Sequence, residues 1–241
     1  MELKIQILNN LVRYIPKRIK RKILEEYDVL PYGIISFSQE GEDLIIARFF
    51  EGKKDGFYID IGAHHPVRYS NTYKLYKKGW RGINIDATPG SMDAFRVLRK
   101  GDVNIEAVID DKKQEHFLFV FDDPALNTIS KETAEAIERN TKFKIIEKVP
   151  VVTTTINEIL NDNMEADQYV DLISIDIEGL DYKIISSLDF TKYNPVLILF
   201  EFKDFEMSKD QWIVEDMCRK GYDFFAKTVN SLFFRKSSPS I

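Results

Sequence analysis

The chain has 241 residues, of which 44% are hydrophobic and 30% charged, and its net charge is −5. These values are typical of a globular protein with one α/β domain and a small extension, and the negative charge argues against nucleic-acid binding. A single cysteine, Cys218, excludes an intramolecular disulfide and a cysteine-based zinc cluster. We expect it to be buried or half-buried in a helix, and so low a cysteine content fits a reducing cytoplasm.

Residues 1–35 are predicted to form an N-terminal helical extension, and residues 36–241 the main domain. Six basic residues lie between positions 13 and 22, where the sequence contains no acid, and apolar residues precede them at helical spacing. One interpretation is a helix that binds an anionic surface, which would place a cytoplasmic protein peripherally at the inner face of the membrane. The other is a helix packed on the domain with a solvated basic end, because Pro16 interrupts the pattern.

Hydrophobic periodicity and turn residues predict the elements of the main domain. An amphipathic helix at residues 41–50 comes first, and five apolar segments typical of buried strands then alternate with helices. The strands are predicted at residues 57–61, 81–86, 103–109, 169–175 and 195–200. The helices are predicted at residues 70–78 (with Ser70 as N-cap), 89–100, from 156 onward, 181–188 and 209–220.

An insertion lies between the third and fourth of these strands. It contains two strand candidates, at residues 116–121 and 147–154, with a helix at 131–139 between them. Two last strands, at residues 222–226 and 231–235, are predicted to form a hairpin. The alternation of strands and helices predicts a doubly wound, Rossmann-like, mainly parallel α/β sheet, to which the hairpin adds an antiparallel strand.

Acidic residues follow three of the predicted strands. Asp60 ends the first, Asp86 ends the second, and Asp176 and Glu178 follow the fourth. In doubly wound sheets, ligands bind outside the carboxyl ends of the strands, so the three acidic ends indicate one cleft. Gly62 lets the backbone approach a ligand closely.

The sequence has neither a G-x-G-x-x-G pattern nor a P-loop, so no pyrophosphate cradle is evident. A nucleoside cofactor without phosphates fits better, and S-adenosylmethionine is the leading case. Asp86 is then the expected acceptor for the ribose hydroxyls, and its alternative role is that of a loop acid or helix cap.

Several short motifs occur together in one order and carry a resemblance over residues 36–203. They are Ser38-Gln39-Glu40-Gly41-Glu42-Asp43, Asp60-Ile61-Gly62-Ala63, Ser70-Asn71-Thr72, Gly79-Trp80-Arg81-Gly82, Asp86 and Asp176-Ile177-Glu178-Gly179. The chain resembles the FkbM family of S-adenosylmethionine-dependent methyltransferases. The resemblance implies a seven-stranded methyltransferase sheet with an antiparallel last strand, and methylation of hydroxyl oxygens, often on sugars. His64 and Pro66 depart from the family's loop, which has Asn and Gly there.

The resemblance also implies a set of cofactor-binding residues, and it places the segment before the first strand over the cofactor. They are Gln39, Asp43, Asp60, Gly62, Ala63, His64, Asn71, Asp86, Ala87 and Asp176. For the acids of the segment 40–43, the alternative is a negatively charged helix N-terminus, and for Asn71 it is a helix cap.

Four residues are candidates for catalysis: His65, Glu178, Asp176 and Glu201. A histidine near neutral pKa suits the removal of a hydroxyl proton, so His65 or Glu178 is the favoured base. The alternatives are that His65 shapes its loop and that Glu178 begins a helix. These acids and histidines also have the ligand types of a divalent-metal site, but no compact metal motif is present, and we predict no metal.

The predicted function is methylation of a hydroxyl, on a sugar in a glycan or surface polysaccharide, by an S-adenosylmethionine-dependent O-methyltransferase. The insertion is expected to build the acceptor pocket, with Phe117, Phe119 and Phe121 either facing a sugar ring or filling a core. The alternatives are an NAD-dependent nucleotide-sugar dehydrogenase or epimerase and a non-catalytic cofactor-binding partner.

Overall fold

A computed structural model of the chain describes residues 34–165, 167–203 and 205–237. From Ser36 onward the described residues belong to one compact unit, Ser36–Ile241. The predicted N-terminal helix and its membrane contact lie outside the described residues, and the division of the chain at residue 35 stays a prediction.

A seven-stranded sheet forms the centre of this unit. Its strands are β1 (Phe57–Ile61), β2 (Arg81–Asp86), β3 (Val103–Glu106), β6 (Leu172–Ile175), β7 (Leu197–Glu201), β8 (Tyr222–Lys227) and β9 (Ser231–Lys236). Their spatial order is β3-β2-β1-β6-β7-β9-β8, and β9 runs antiparallel to the other six strands. The predicted seven-stranded, doubly wound methyltransferase sheet with an antiparallel last strand is therefore confirmed.

Helices cover the sheet, and the insertion adds a small sheet of its own. The helices are α1 (Glu42–Phe49), α2 (Tyr73–Lys77), α3 (Met92–Leu98), α4 (Lys131–Asn140), α5 (Ile156–Asn163), α6 (Asp181–Ser187) and α7 (Met207–Arg219). Strands β4 (Glu115–Phe121) and β5 (Ile145–Val152) pair antiparallel, with a 3₁₀ turn at Pro124–Leu126. The insertion therefore contributes a second, two-stranded sheet to the same unit.

Local sequence explains where several helices begin. Thr155 and Glu158 form a capping box at α5, and the Ser130 hydroxyl caps α4. Ser70 was predicted to cap a helix at 70–78, but α2 begins only at Tyr73. The Ser70 hydroxyl nevertheless accepts a hydrogen bond from the Tyr73 amide at 3.0 Å.

The core lies on both faces of the sheet, because the central strands carry apolar residues at successive positions. All four residues of β6 are buried, as expected for a parallel strand covered by helices on both sides. Within the described residues, no helix is both long and apolar enough to span a membrane.

Some predicted details are wrong. Strand β3 ends at Glu106 rather than at residue 109, because the backbone at Val108 and Asp110 leaves the sheet to bond with Thr154 at 2.9 Å. Cys218 is exposed, since α7 turns Ile213 and Met217 toward the core instead.

Replacing Ile173 of β6 by alanine should lower the free energy of unfolding by about 2–5 kcal/mol, because its fully buried side chain would leave a cavity. The matched control is Ile146→Ala on β5, where the isoleucine is 65% exposed, and the loss should stay below about 1 kcal/mol. Urea denaturation measures both. Equal losses would contradict this placement of the core.

Candidate active site

The loop after β1 approaches the end of β6 very closely. Gly62 has φ +76°, and a Cβ atom placed on it would lie 1.7 Å from the backbone oxygen of Asp176. Its amide donates to the Ile85 carbonyl at 2.9 Å. No other residue fits here without moving the backbone, so the ends of β1, β2 and β6 are held together at this point.

Asp86 closes the same corner from β2. Its side chain accepts hydrogen bonds from the amides of His64 and Thr88, both at 2.8 Å. Each carboxylate oxygen keeps a second lone pair after these bonds. Asp86 therefore fixes the loop after β1 and still has acceptor capacity for a ligand.

A first cleft opens above these strand ends and encloses about 570 Å³, including space open to solvent. Ile85, Val108 and Ile129 give it apolar walls, and Asp86 and Glu178 lie among its polar groups.

The insertion covers the first cleft. Asn127 donates to the Thr88 hydroxyl at 2.9 Å, and the Thr128 hydroxyl donates to the Glu178 carbonyl at 3.2 Å. Phe119 and Phe121 are buried in the insertion's own core with Ala134 of α4. Of the two roles predicted for these two phenylalanines, the structure therefore favours core packing.

A second cleft lies on the other side of β6, toward β7. Asp176 lines both clefts, so they meet at its carboxylate. The other polar residues of the second cleft come from the start of α1 and the segment before it, the loop before α2, the end of β7 and the turn between β8 and β9. They are Gln39, Glu40, Glu42, Tyr69, Asn71, Glu201, Asn230 and Ser231.

The structure sorts the predicted site residues into three groups. The first cleft is lined by Gly62, His64, Asp86, Ala87, Asp176 and Glu178. The second is lined by Gln39, Asn71, Asp176 and Glu201. Four predicted residues line neither cleft: Asp43, Asp60, Ala63 and His65.

Asp43 and Asp60, both predicted to contact the cofactor, are buried among protein groups instead. Asp43 accepts hydrogen bonds from the Ser36 hydroxyl at 2.6 Å and the Phe37 amide at 2.9 Å. Asp60 accepts one from the Thr72 hydroxyl at 2.6 Å, and burial raises the pKa of its carboxyl. Both carboxylates hold loops rather than face a ligand.

His65 is placed unfavourably for the predicted role of base. Its Nδ1 accepts hydrogen bonds from the amides of Val67 at 3.1 Å and Arg68 at 2.9 Å. Burial lowers its pKa, which favours the neutral ring, and the proton of that ring then lies on Nε2. No lone pair remains for a substrate proton, so the structure favours the alternative, that His65 shapes its loop.

Three carboxylates meet where the clefts join. Asp176, Glu178 and Glu201, which we call the acidic triad, have carboxylate oxygens within 4.8 Å of one another. Asp176 is exposed to the clefts but deeply surrounded by protein, and desolvation, followed by the charges of Glu201 and Asp181, raises its pKa well above the usual range. Desolvation and the charge of Glu178 also raise the pKa of Glu201.

Lys203 balances part of this charge. Its ammonium lies 2.6 Å from Glu178 and 3.1 Å from Glu201. Although burial opposes it, the charge of Glu178, followed by that of Glu201, raises the pKa of Lys203. The ammonium pairs with two of the three carboxylates that could bind a metal ion. The absence of a metal stays a prediction.

The turn that carries Glu178 is unusual. Glu178 has φ +52°, although it is not glycine, and Gly179 follows with φ +93°. Asp181 holds this turn by accepting hydrogen bonds from the amides of Ile177 at 3.1 Å and Gly179 at 3.2 Å. Such strained residues persist where the surroundings over-determine them and cluster at active sites. Helix α6 begins after Glu178, at Asp181, so Glu178 does not begin the helix.

The sequence matches the family described as the methyltransferase FkbM domain over residues 60–226. The chain belongs to this family. It is a methyltransferase whose cofactor is S-adenosylmethionine. Membership of this family argues against an NAD-dependent dehydrogenase or epimerase.

No curated protein matches the chain. The solved structures that align with it include two methyltransferases. One is a candidate RNA methyltransferase from Pyrococcus horikoshii, with 9% identity and a TM-score of 0.42, over 82% of this chain and 84% of that one. The other is a TehB-like SAM-dependent methyltransferase from Corynebacterium glutamicum, with 12% identity and a TM-score of 0.42, over 92% of this chain and 100% of that one.

The two clefts suit this cofactor chemically. The apolar walls of the first cleft suit an adenine ring, and the Asp86 carboxylate suits ribose hydroxyls. In the second cleft, the amides of Gln39 and Asn71 suit a carboxylate, and Asp176 suits an ammonium. These residues are the ones that would hold S-adenosylmethionine.

Replacing Asp86 by alanine should weaken binding of S-adenosylhomocysteine by at least about tenfold, because both the ribose acceptor and the loop anchor are lost. Isothermal titration calorimetry measures the affinity. Asp93→Ala, at an exposed position on α3, is the matched control and should leave it unchanged. Unchanged affinity in the Asp86 variant would remove this residue from the site.

The stability of the protein should depend on the protonation of Asp181. Desolvation raises the pKa of this carboxyl to about 7, so the native state binds a proton that the unfolded state, with a pKa of about 3.9, has released. The bound proton stabilises the native state fully below about pH 4, and this stabilisation is lost as the pH rises through about 7.

The advantage of the wild type over Asp181→Asn in free energy of unfolding should therefore fall between these pH values, by at most about 1.4 kcal/mol per pH unit. Urea denaturation at several pH values measures it. Asp93→Asn is the control and should keep the wild-type slope. A constant difference between wild type and Asp181→Asn would contradict the raised pKa.

Proposed function

We propose that this methyltransferase acts on a hydroxyl oxygen, and that the hydroxyl belongs to a sugar of a glycan or surface polysaccharide. The observation that carries the proposal is the acidic triad at the junction of the two clefts. A hydroxyl must lose its proton when its oxygen gains a methyl group, and a carboxylate at the cleft is suited to accept it.

The chemistry divides between cofactor and protein. When bound, S-adenosylmethionine supplies an electrophilic methyl group, and the electrons of its C–S bond stay on sulfur as the acceptor oxygen forms the new C–O bond. The protein positions the acceptor oxygen, excludes water and takes up its proton.

Glu178 is the proposed base. Its Oε2 accepts the hydrogen bond from Lys203, which leaves Oε1 for the acceptor proton. The backbone at Glu178 is held by Thr128, which donates to its carbonyl, and by Asp181, which accepts from the amide of the next residue, Gly179. Asp176 and Glu201 lie beside it, with carboxylate oxygens within 4.8 Å.

A sugar acceptor is supported by the polar character of the second cleft. Beyond the groups that suit the cofactor, the Asn230 amide and the Ser231 hydroxyl offer both donors and acceptors. Tyr69 also lines this cleft, and its side chain is 45% exposed. Phe119 and Phe121, by contrast, are buried in the core of the insertion.

Replacing Glu178 by glutamine should lower kcat by about 10²–10⁴-fold, because the side chain keeps its shape but cannot take up a proton. The affinity for S-adenosylhomocysteine should stay within about twofold, because the substitution removes the proton acceptor and leaves the cofactor contacts unchanged. Transfer of a radiolabelled methyl group from S-adenosylmethionine to a panel of glycans gives the rate, and calorimetry gives the affinity.

Glu206→Gln, at an exposed residue beside α7, is the control and should keep full activity. Full turnover in the Glu178 variant would overturn the assignment of the base. Tight cofactor binding by the wild type with no transfer to any hydroxylated acceptor would favour the non-catalytic partner instead.

A further inference from the structure

Arg99 is a buried cation for which the proposed mechanism has no use. It directly follows α3, and its side chain is 0% exposed. Its Nε donates to the carboxylate of Asp102 at 2.9 Å, and that side chain is also 0% exposed. A guanidinium this deep is tolerated only when it is paired and hydrogen-bonded, so each of its contacts helps to fix its position.

The remaining nitrogens of Arg99 reach the loop that joins β1 to α2. We call residues 62–70 the cofactor loop. Nη1 donates to the Pro66 carbonyl at 3.1 Å, in the middle of the loop. Nη2 donates to the Thr72 hydroxyl at 3.0 Å, just after the loop, and Thr72 in turn donates to Asp60, just before it. One guanidinium therefore contacts the loop's middle directly and links its two ends.

The cofactor loop needs such an anchor. His64 has φ +52° and Tyr69 has φ +59°, so two residues that are not glycine hold left-handed backbone conformations on either side of Pro66. This conformation is unfavourable for residues with a Cβ atom and is kept only where the surroundings enforce it.

The cofactor loop and the residue after it also supply cleft residues. His64 lines the first cleft, and Tyr69 and Asn71 line the second. Asn71 donates to the Ser174 hydroxyl on β6 at 3.0 Å, and it directly precedes Thr72. A shift of Pro66 or Thr72 would therefore move groups at both clefts.

We propose that Arg99 is a positioning residue for cofactor binding: through the Pro66 carbonyl and the Thr72 hydroxyl it holds the cofactor loop in the conformation that S-adenosylmethionine requires. Arg99 itself lines neither cleft. The proposal rests on the cofactor of the family and is independent of the acceptor.

The opposite side of the network provides a control. The Tyr58 hydroxyl accepts a hydrogen bond from Arg99 Nη2 and donates one to Asp102, both at 2.5 Å. Tyr58→Phe breaks the network away from the loop, whereas Thr72→Val breaks it on the loop side with almost no change in shape. Arg99→Lys keeps the charge and shortens the reach.

Three measurements on the full chain separate positioning from simple core stability. Calorimetry gives the affinity for S-adenosylhomocysteine, hydrogen exchange gives the protection of residues 62–70, and thermal unfolding gives Tm. Thr72→Val and Arg99→Lys should weaken binding by at least about tenfold and raise exchange in the loop. Tyr58→Phe should lower Tm but keep the affinity within about twofold and the loop protected.

Affinity and loop protection in Thr72→Val that match the wild type would overturn the proposal. So would equal loss of affinity in Thr72→Val and Tyr58→Phe, because the network would then act only through overall stability. If Arg99→Lys does not fold, the comparison of Thr72→Val with Tyr58→Phe decides alone. Failure of the wild type to bind S-adenosylhomocysteine would contradict the proposal as well.

Discussion

The contact between Gly62 and the backbone oxygen of Asp176 is the constraint on which the site depends. Parallel neighbouring strands bring their carboxyl ends to one edge of the sheet, but β1 and β6 can approach this closely only without a side chain at position 62. The contact fixes the position of the backbone where the chain leaves β6. It thereby places Asp176 between the two clefts and starts the turn that carries Glu178.

Electrostatics then gives this junction its chemical character. Three carboxylates share a confined, partly desolvated space, and Lys203 balances only part of their charge. Desolvation, followed by the neighbouring negative charges, raises the pKa values of Asp176 and Glu201, so these two carboxyls take up a proton more readily than an ordinary surface acid. The same arrangement would repel an anionic group, which agrees with a neutral hydroxylated acceptor and with a cationic sulfonium beside it.

The sequence was sufficient for the sheet and for its ligand-binding edge, because strand alternation and acids at strand ends follow from short-range patterns. It was insufficient for side-chain roles, since these depend on contacts far apart in the chain. Asp60 has the expected position in its strand, yet its carboxylate is buried and accepts a hydrogen bond from Thr72. His65 has the expected chemistry, yet the next amides occupy its lone pair. Lys203 was missed because its partner Glu178 is 25 residues away, with no local pattern to join them.

The strained positions of the site have a common physical cause. His64, Tyr69 and Glu178 all hold left-handed backbone, and each is fixed by a hydrogen bond to its own or a nearby peptide group. Asp86 bonds the amide of His64, Arg99 bonds the carbonyl between His64 and Tyr69, and Thr128 bonds the carbonyl of Glu178. The donors and acceptors come from β2, from the end of α3 and from the insertion, which are far apart in the sequence. The site can therefore form only after these elements have packed, so cofactor affinity should respond to substitutions in the supporting network that leave the cleft walls unchanged.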